Sequence, residues 1–276
     1  MKALELFAGI GGIALAEHMA GIEVVGLCEF AEFPQRVLRK NFPDVPIFAD
    51  VKKLNASELE KEGVNPGTID IISGGFPCQP FSVAGRRKGT ADDRDLWPEM
   101  FRVIKEVRPT WIVGENVANF ANMELDRTLF DLESGGYEAQ SFIIPACAVA
   151  APHQRLRTFV VAHANGHRQL QSQRIVQDVR RRVGNSSAVL VNTGSQRWQA
   201  RHNNEHRDVT QRESQRQLSP TNGTPAVWQP EPQLGRVADG ISCRMDRLTG
   251  LGNAVVPQQI LPIFQAIVSI ENGVKS

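Results

Sequence analysis

The sequence has few cysteines and no long apolar run, and these absences exclude several classes of protein. Its 276 residues include four scattered cysteines, with no CxxC pair and no spacing typical of a metal site. This pattern favours reduced thiols in a cytosolic protein over a disulfide scaffold or a metal centre. No apolar run approaches the roughly 18 residues of a membrane-spanning helix, and the N-terminus shows no signal-peptide pattern. We therefore expect a soluble, cytoplasmic protein with no membrane partner.

The net charge of +1 conceals an uneven distribution of charge along the chain. Residues 1–150 contain 15 Lys and Arg against 22 Asp and Glu, whereas residues 151–216 contain 12 Arg, no Lys and 4 acidic residues. A basic segment joined to an acidic one favours a polyanionic partner for the basic part. A solvated, arginine-rich loop is the alternative interpretation.

The first 165 residues alternate short apolar runs with amphipathic stretches, which predicts βα units on a parallel sheet. Helical spacing of apolar residues appears over 96–107, over 126–134 and again near the C-terminus. From about 166 to 235 the chain is rich in Gln, Arg, Asn and Ser and too poor in apolar residues to build much core. The predicted strands cover 3–8, 23–30, 46–51, 69–73, 110–116, 141–146 and 158–164.

These changes of texture divide the chain into three predicted parts. Residues 1–165 form a main domain, which the resemblance described below implies to be catalytic and cofactor-binding, and residues 241–276 form a segment and helix that return to it. Residues 166–240 between them are either a small recognition module or a flexible insertion.

A glycine-rich loop follows the first predicted strand. In the run FAGIGGIALA, Gly9, Gly11 and Ala14 match the pattern G-x-G-x-x-G/A, and Glu29 follows at the end of the second strand. Glycines that let the backbone approach a ligand, with an acid for ribose hydroxyls, are typical of a nucleotide site. The pattern does not separate a dinucleotide from another adenosine cofactor. Asp50 ends the third strand, where it is either a third polar group of this site or a helix N-cap.

The run GGFPCQPFS follows the fourth predicted strand and places Cys78 between two prolines. Because the carboxyl ends of parallel strands meet at one edge of a sheet, we expect Cys78 to face the same crevice as the glycine loop. A rigid loop with nearby backbone N–H groups suits a nucleophile, and we prefer this interpretation to a buried structural cysteine.

Charged residues follow at the ends of the next strands. Glu115 lies in GENVANF, beside the predicted cysteine loop, although a solvated acid in a turn is the alternative. Arg155 and Arg157 are two residues apart, so in extended chain they share one face and can bind phosphate or substrate. The run GLGNAVVPQ at 250–258 is predicted to form a turn before the last helix, and its position alone indicates no role.

In this order, these segments resemble the DNA (cytosine-5)-methyltransferases of bacteria and phages. The resemblance covers roughly 1–165 and 240–276, and the elements PCQ and ENV are specific in combination. It implies a Rossmann-like, S-adenosylmethionine-dependent methyltransferase fold, an α/β fold with a mostly parallel seven-stranded sheet flanked by helices. It also implies that residues 166–240 are a small, irregular target-recognition region. The loop D/N/S-P-P-Y/F of enzymes that methylate amino groups is absent from the sequence.

The resemblance implies a role for each matching residue. It makes Cys78 the nucleophile that adds to carbon 6 of cytosine and Glu115 the group that interacts with ring nitrogen 3 and the exocyclic amine. Arg155 and Arg157 are implied to hold the flipped nucleotide or the surroundings of the cysteine. The implied pocket for S-adenosylmethionine consists of Phe7, Gly9, Gly11, Glu29, Phe30, Asp50, Pro77, Asn253 and Val255.

The implied substrate is a cytosine flipped out of double-stranded DNA. Gln79 and Ser82, beside the nucleophile, are candidates for contacts to the DNA. A cognate restriction endonuclease is the protein partner that the resemblance suggests, and the chain itself is expected to be a monomer in the cytoplasm of a bacterial or phage-infected cell.

Three other functions compete with this interpretation. A related enzyme acting on tRNA cytosine would use the same cysteine and glutamate, but the long basic insert favours DNA. A weakly active or non-catalytic DNA-binding relative would not need Cys78, Glu115 and Arg155 intact. A nicotinamide dehydrogenase would share the glycine loop but would not need the PCQ and ENV elements.

Overall fold

The fold is known from a computed structural model that describes residues 1–77, 95–122, 124–164, 179, 182, 190–193 and 244–273. The strands β1 to β8 are Lys2–Leu6, Glu23–Cys28, Ile47–Phe48, Ile71–Gly75, Trp111–Val117, Tyr137–Ile144, Arg157–Ala164 and Leu190–Thr193. The helices α1 to α7 are Gly12–Met19, Glu32–Asn41, Ala56–Lys61, Trp97–Val107, Leu125–Ser134, Arg244–Asn253 and Pro257–Glu271. Short 3₁₀ helices lie at Pro66–Thr68, Ala118–Asn122 and Ala146–Val149.

The strands form one sheet in the order β3-β2-β1-β4-β5-β7-β6-β8. Strands β1 to β5 are parallel to one another, and β7 lies antiparallel between β5 and β6. The mostly parallel sheet of seven predicted strands is confirmed. An eighth strand, β8, comes from the predicted recognition region and pairs antiparallel with β6. Part of that region therefore extends the main sheet.

Helices cover both faces of the sheet. Neighbouring residues of β4 point to opposite faces, so that Ile72 packs in one apolar cluster with α4 and α5, and Ile71 packs in another with α1 and α7. In β5, Ile112 packs in the first of these clusters and Trp111 in the second. Burial on both faces explains why these strands are continuous apolar runs rather than alternating ones.

The predicted helices over 96–107 and 126–134 are confirmed as α4 and α5. The last helix, α7, has Pro257 in its first turn, where a missing N–H costs nothing. The run GLGN, predicted as a turn, is instead the end of α6, and only residues 254–256 separate α6 from α7. Among the residues described, no helix combines the length and apolar character needed to cross a membrane.

The close approach of β1 and β4 depends on Gly74. A Cβ atom at this position would lie 2.5 Å from the carbonyl oxygen of Leu6. We expect Gly74→Ala to lower the free energy of unfolding by about 1–3 kcal/mol, because the backbone of β1 has to move. Urea denaturation measures this change. Gly67→Ala is the matched control, since its nearest neighbour would be at 3.4 Å, and an equal loss in both variants would contradict the explanation.

Candidate active site

The glycine loop begins where β1 ends. Phe7 and Gly9 adopt positive φ angles of 57° and 55°, and Gly11 adopts 87° as the N-cap of α1. A Cβ atom at Gly11 would lie 2.8 Å from the ring of Phe42, so only glycine fits there. A Cβ atom at Gly9 would meet nothing within 4 Å. The loop is therefore tightly packed beneath Gly11 and has open space beside Gly9.

Glu29, at the end of β2, holds this loop in place. Its Oε2 atom accepts a hydrogen bond from the N–H of Gly9 at 2.8 Å, and its Oε1 atom accepts one from Ala31 at 2.7 Å. The side chain of Gln35 donates to the carbonyl of Glu29 at 2.7 Å, which fixes the backbone there. Phe30 follows with 81% of its surface exposed. A carboxylate that accepts two N–H groups has lone pairs left for hydroxyl groups of a ligand.

Asp50 follows β3 at the same edge. Its Oδ1 atom accepts from the N–H of Lys52 at 2.9 Å and closes a turn. The alternative of a helix N-cap is wrong, because Asn55 caps α3. Burial, together with the charges of Glu29 and Asp50, raises the pKa of the Cys28 thiol to about 12. The two carboxylates therefore flank one point of the sheet edge.

Glu115, which the sequence predicts to be catalytic, lies near the ends of the neighbouring strands β4 and β5. Glu115 of β5 pairs with Gly75 of β4, and a Cβ atom at Gly75 would lie 2.9 Å from its Oε2 atom. The carboxylate is only 8% exposed, and its Oε1 atom is 2.7 Å from Nε of Arg157. Burial raises the pKa of Glu115 to about 7, even though Arg157 and Arg155 act to lower it. This carboxyl group can therefore gain or lose a proton near neutral pH.

The entry to the cysteine loop is fastened by Asn116. Its Nδ2 atom donates to the carbonyl oxygen of Phe76 at 2.9 Å. The ring of Phe76 packs on Trp97 and Phe120, with centroids 5.0 and 5.3 Å away. Pro77 follows as the last residue described before the loop. The predicted site residues Cys78, Gln79 and Ser82 lie outside the described residues.

The sequence predicted that Arg155 and Arg157 share one face of extended chain, and this prediction is wrong. Arg157 begins β7, but Arg155 has a φ angle of 30° and lies before the strand. The Nη2 atom of Arg155 donates to the carbonyl oxygens of Gly252 and Ala254 at 2.7 and 2.6 Å. Each arginine therefore has its own acceptor, Glu115 for Arg157 and backbone carbonyls for Arg155. Those carbonyls belong to residues 252–256, the end of α6 and the link to α7, which we call the closing loop.

The closing loop brings the C-terminal segment to the glycine loop. In the sequence, Asn253 lies between Gly252 and Ala254, the two residues whose carbonyls Arg155 binds. A Cβ atom at Gly12, the first residue of α1, would lie 2.7 Å from the carbonyl oxygen of Val255. The described candidates for the cofactor and for catalysis are thus gathered at the carboxyl edge of the sheet, where open α/β sheets bind ligands.

Residues 1–229 match the model of the C-5 cytosine-specific DNA methylase family. The chain belongs to this family. The family and the structure together confirm the predicted fold of an S-adenosylmethionine-dependent methyltransferase.

Individual relatives agree with this assignment. The Type II methyltransferase M.Eco47II of Escherichia coli is 35% identical over 169 residues, which are 59% of this chain and 39% of the relative. The Type II methyltransferase M.HhaI of Haemophilus parahaemolyticus is 30% identical over 170 residues, which are 60% and 50%. The chain thus spans half or less of the length of these two relatives.

A solved structure shows the same fold. It is that of a DNMT2 mutant from Spodoptera frugiperda, which is 25% identical with a TM-score of 0.51. The similarity covers 62% of this chain and 52% of the other.

Three residues of the site have no signal in the sequence that points to their roles. Gln35 orients the backbone at Glu29, Asn116 donates to the carbonyl of Phe76, and Gln259 of α7 donates to the carbonyl of Arg155 at 2.8 Å. Only Asn116 lies within a motif that the sequence singled out, as the residue after Glu115 in GENV.

Proposed function

We propose that the chain is a DNA (cytosine-5)-methyltransferase, which transfers a methyl group to carbon 5 of a cytosine flipped out of duplex DNA. The observation that carries the proposal is the buried pair of Glu115 and Arg157 at the edge where β4 leads into the loop of Cys78. The same edge carries Glu29 beneath the glycine loop. A proton-donating carboxyl group, a thiol and a nucleotide-binding loop are the groups that this chemistry needs.

In the proposed mechanism, the thiolate of Cys78 adds to carbon 6 of the cytosine. Glu115 donates a proton or hydrogen bond to ring nitrogen 3 and stabilises the enamine, and its pKa of about 7 suits this role. Arg157 holds the carboxyl group of Glu115 in position through its contact at 2.7 Å. Carbon 5 would then take the methyl group of bound S-adenosylmethionine, whose sulfur keeps the electron pair of the broken bond. A base acting through water removes the carbon-5 proton, and Cys78 leaves as the thiolate.

The residues at the sheet edge fit S-adenosylmethionine, which supplies the methyl group when bound. Open space beside Gly9 leaves room for a ligand against the loop backbone, and Glu29 has acceptor capacity for ribose hydroxyls. The exposed ring of Phe30 offers an apolar surface to the adenine. The full proposed set is Phe7, Gly9, Gly11, Glu29, Phe30, Asp50, Pro77, Asn253 and Val255.

For the DNA, we propose that residues 166–240 form the target-recognition region between a catalytic domain at 1–165 and a returning segment at 241–276. The excess of arginine over 151–216 supports contacts to phosphates. The pairing of β8 with β6 attaches this region to the catalytic sheet. Gln79 and Ser82 are proposed DNA contacts, the chain is proposed to act as a cytoplasmic monomer, and a restriction endonuclease is its proposed partner.

The substrate is tested by incubating the chain with methyl-labelled S-adenosylmethionine and either duplex DNA or tRNA. We expect label in the DNA as 5-methylcytosine, located by mapping methylated cytosines. The basic insert is the reason to expect DNA, since its arginines neutralise phosphates along a duplex. Label in tRNA alone would contradict the proposal.

Covalent catalysis is tested with DNA that contains 5-fluorocytosine. A fluorine at carbon 5 cannot be removed as a proton, so the enzyme is expected to stay attached through Cys78. Denaturing electrophoresis in the presence of S-adenosylmethionine should show this complex, with unsubstituted DNA as the control. An enzyme that methylates DNA but never forms the complex would exclude addition at carbon 6.

A further inference from the structure

A buried glutamine joins three distant parts of the chain behind the site. Gln259 lies in the first turn of α7 and has no exposed surface. Its Nε2 atom donates to the carbonyl oxygen of Ile144 at 2.9 Å, at the end of β6, and to that of Arg155 at 2.8 Å. Both amide hydrogens are therefore used on backbone carbonyls from outside its own helix.

Arg155 continues this connection on its other side. The same residue that accepts from Gln259 through its carbonyl donates through Nη2 to Gly252 and Ala254. Its Nε atom is buried, and its φ angle of 30° is uncommon for an L-residue. We call Arg155, Gln259 and the carbonyls of Ile144, Gly252 and Ala254 the clasp.

In the clasp, the Nη2 group of Arg155 points toward the backbone carbonyls of Gly252 and Ala254. That nitrogen carries two hydrogens, and both have short contacts to backbone oxygens. Arg157 differs, because its guanidinium contacts the carboxylate of Glu115. The two arginines therefore have separate tasks, and that of Arg155 is to hold residues 252–254.

The loop that the clasp holds is pressed against the glycine loop. The carbonyl of Val255 approaches Gly12 so closely that a Cβ atom there would be 2.7 Å away. Ile10 of the glycine loop also lies 3.3 Å from the Cβ position of Gly250. A shift of residues 252–255 thus changes the shape of the wall that faces the glycine loop.

We propose that Gln259 and Arg155 are positioning residues for the S-adenosylmethionine pocket, which they keep in its binding shape by clasping residues 252–255 against the glycine loop. This inference rests on the proposed function, because the pocket is part of it. If loss of the clasp leaves the binding shape populated in one molecule in ten, the apparent Kd for the cofactor rises about tenfold.

The test uses the full chain and three readouts that do not depend on methyl transfer. Calorimetry without DNA gives the Kd for S-adenosylmethionine, hydrogen exchange reports the backbone amides of residues 250–258, and thermal unfolding reports folding. For Gln259→Leu we expect a Kd about tenfold higher and faster exchange at 250–258. Gln140→Leu is the matched control, since Gln140 is a buried glutamine of β6 outside the clasp, and it should leave the Kd and this exchange unchanged.

Arg155, which is only partly buried, gives a second test. Arg155→Met is expected to raise the Kd in the same way, and Arg155→Lys, which keeps a donor, is expected to restore part of the affinity. A folded Gln259→Leu or Arg155→Met chain with the wild-type Kd would overturn the inference. So would a Gln140→Leu chain that weakens binding equally. A folded wild-type chain that binds no S-adenosylmethionine would contradict the proposed function itself, which separates the two failures.

Discussion

Cys78→Ala is expected to abolish methyl transfer to DNA while S-adenosylmethionine binding stays close to that of the wild type. The thiolate is the only group proposed to form a bond with carbon 6, and removing a nucleophile typically costs on the order of 10⁴-fold or more in rate. Binding should survive because the proposed pocket does not include the thiol, and its member nearest in sequence, Pro77, is unchanged in the variant. Label incorporation measures transfer, and calorimetry measures binding.

Two of the other three cysteines, Cys28 and Cys147, provide controls for this result. Cys147 is exposed in the 3₁₀ helix after β6 and has no proposed part in the chemistry, so Cys147→Ala should retain activity. Cys28 cannot replace the nucleophile, because burial and two neighbouring carboxylates raise the pKa of its thiol to about 12. Retained methyl transfer by Cys78→Ala would therefore refute the assignment of the nucleophile. Loss of cofactor binding together with activity would show that the loop has a structural role instead.

Apolar runs predict the sheet well because burial on both faces removes any need for polar residues within a strand. The third strand is an exception. Predicted over 46–51, it is only Ile47–Phe48, because the turn closed by Asp50 begins at once. The eighth strand, Leu190–Thr193, was not predicted, since its apolar run is short, the surrounding segment is polar, and its pairing partner β6 lies far away in the sequence.

The candidate site shows the same division between local and distant effects. Glu115 could be singled out from the sequence as a candidate, because it lies at a strand end in a distinctive motif. The role of Gln259 could not, because its acceptor Ile144 is 115 residues away and a single glutamine forms no pattern. Arg155 was misplaced on an extended face for a related reason. It has an unusual φ angle, and its side chain contacts a segment almost 100 residues later in the chain, which local sequence does not indicate.

Glu115→Gln is expected to lower kcat/KM by about 10²- to 10⁴-fold, the range found for the loss of a general acid. The amide keeps the shape of the side chain and can still donate a hydrogen bond, but it cannot transfer a proton to ring nitrogen 3. Label incorporation into duplex DNA measures the rate. Formation of the complex with 5-fluorocytosine DNA should slow in parallel, because Glu115 is proposed to assist the addition of Cys78.

The role of Glu115 as a proton donor also predicts the direction in which kcat/KM changes with pH. With a pKa of about 7, Glu115 loses its proton as the pH rises through neutrality, so kcat/KM of the wild type should fall on the alkaline side. Arg157 lowers this pKa, and Arg157→Leu should therefore move the alkaline fall to higher pH while reducing the rate. An alkaline fall that stays in place or moves to lower pH would contradict Glu115 as the proton donor.

The free energy of unfolding should also depend on the protonation of Glu115, and this can be measured without substrate. The folded pKa of Glu115 lies above its ordinary value of 4.5, so the folded chain binds more protons between about pH 4.5 and 7. Its contribution to the free energy of unfolding therefore falls as the pH rises through this window. Burial raises the pKa of Glu5 and of Glu17 as well, but both residues are unchanged in Glu115→Gln, so their contributions cancel in the comparison.

Urea denaturation of wild type and Glu115→Gln at pH 5 and pH 8 measures this contribution. The variant should gain stability relative to the wild type at the higher pH. A loss of relative stability there would mean that the pairing with Arg157 outweighs burial.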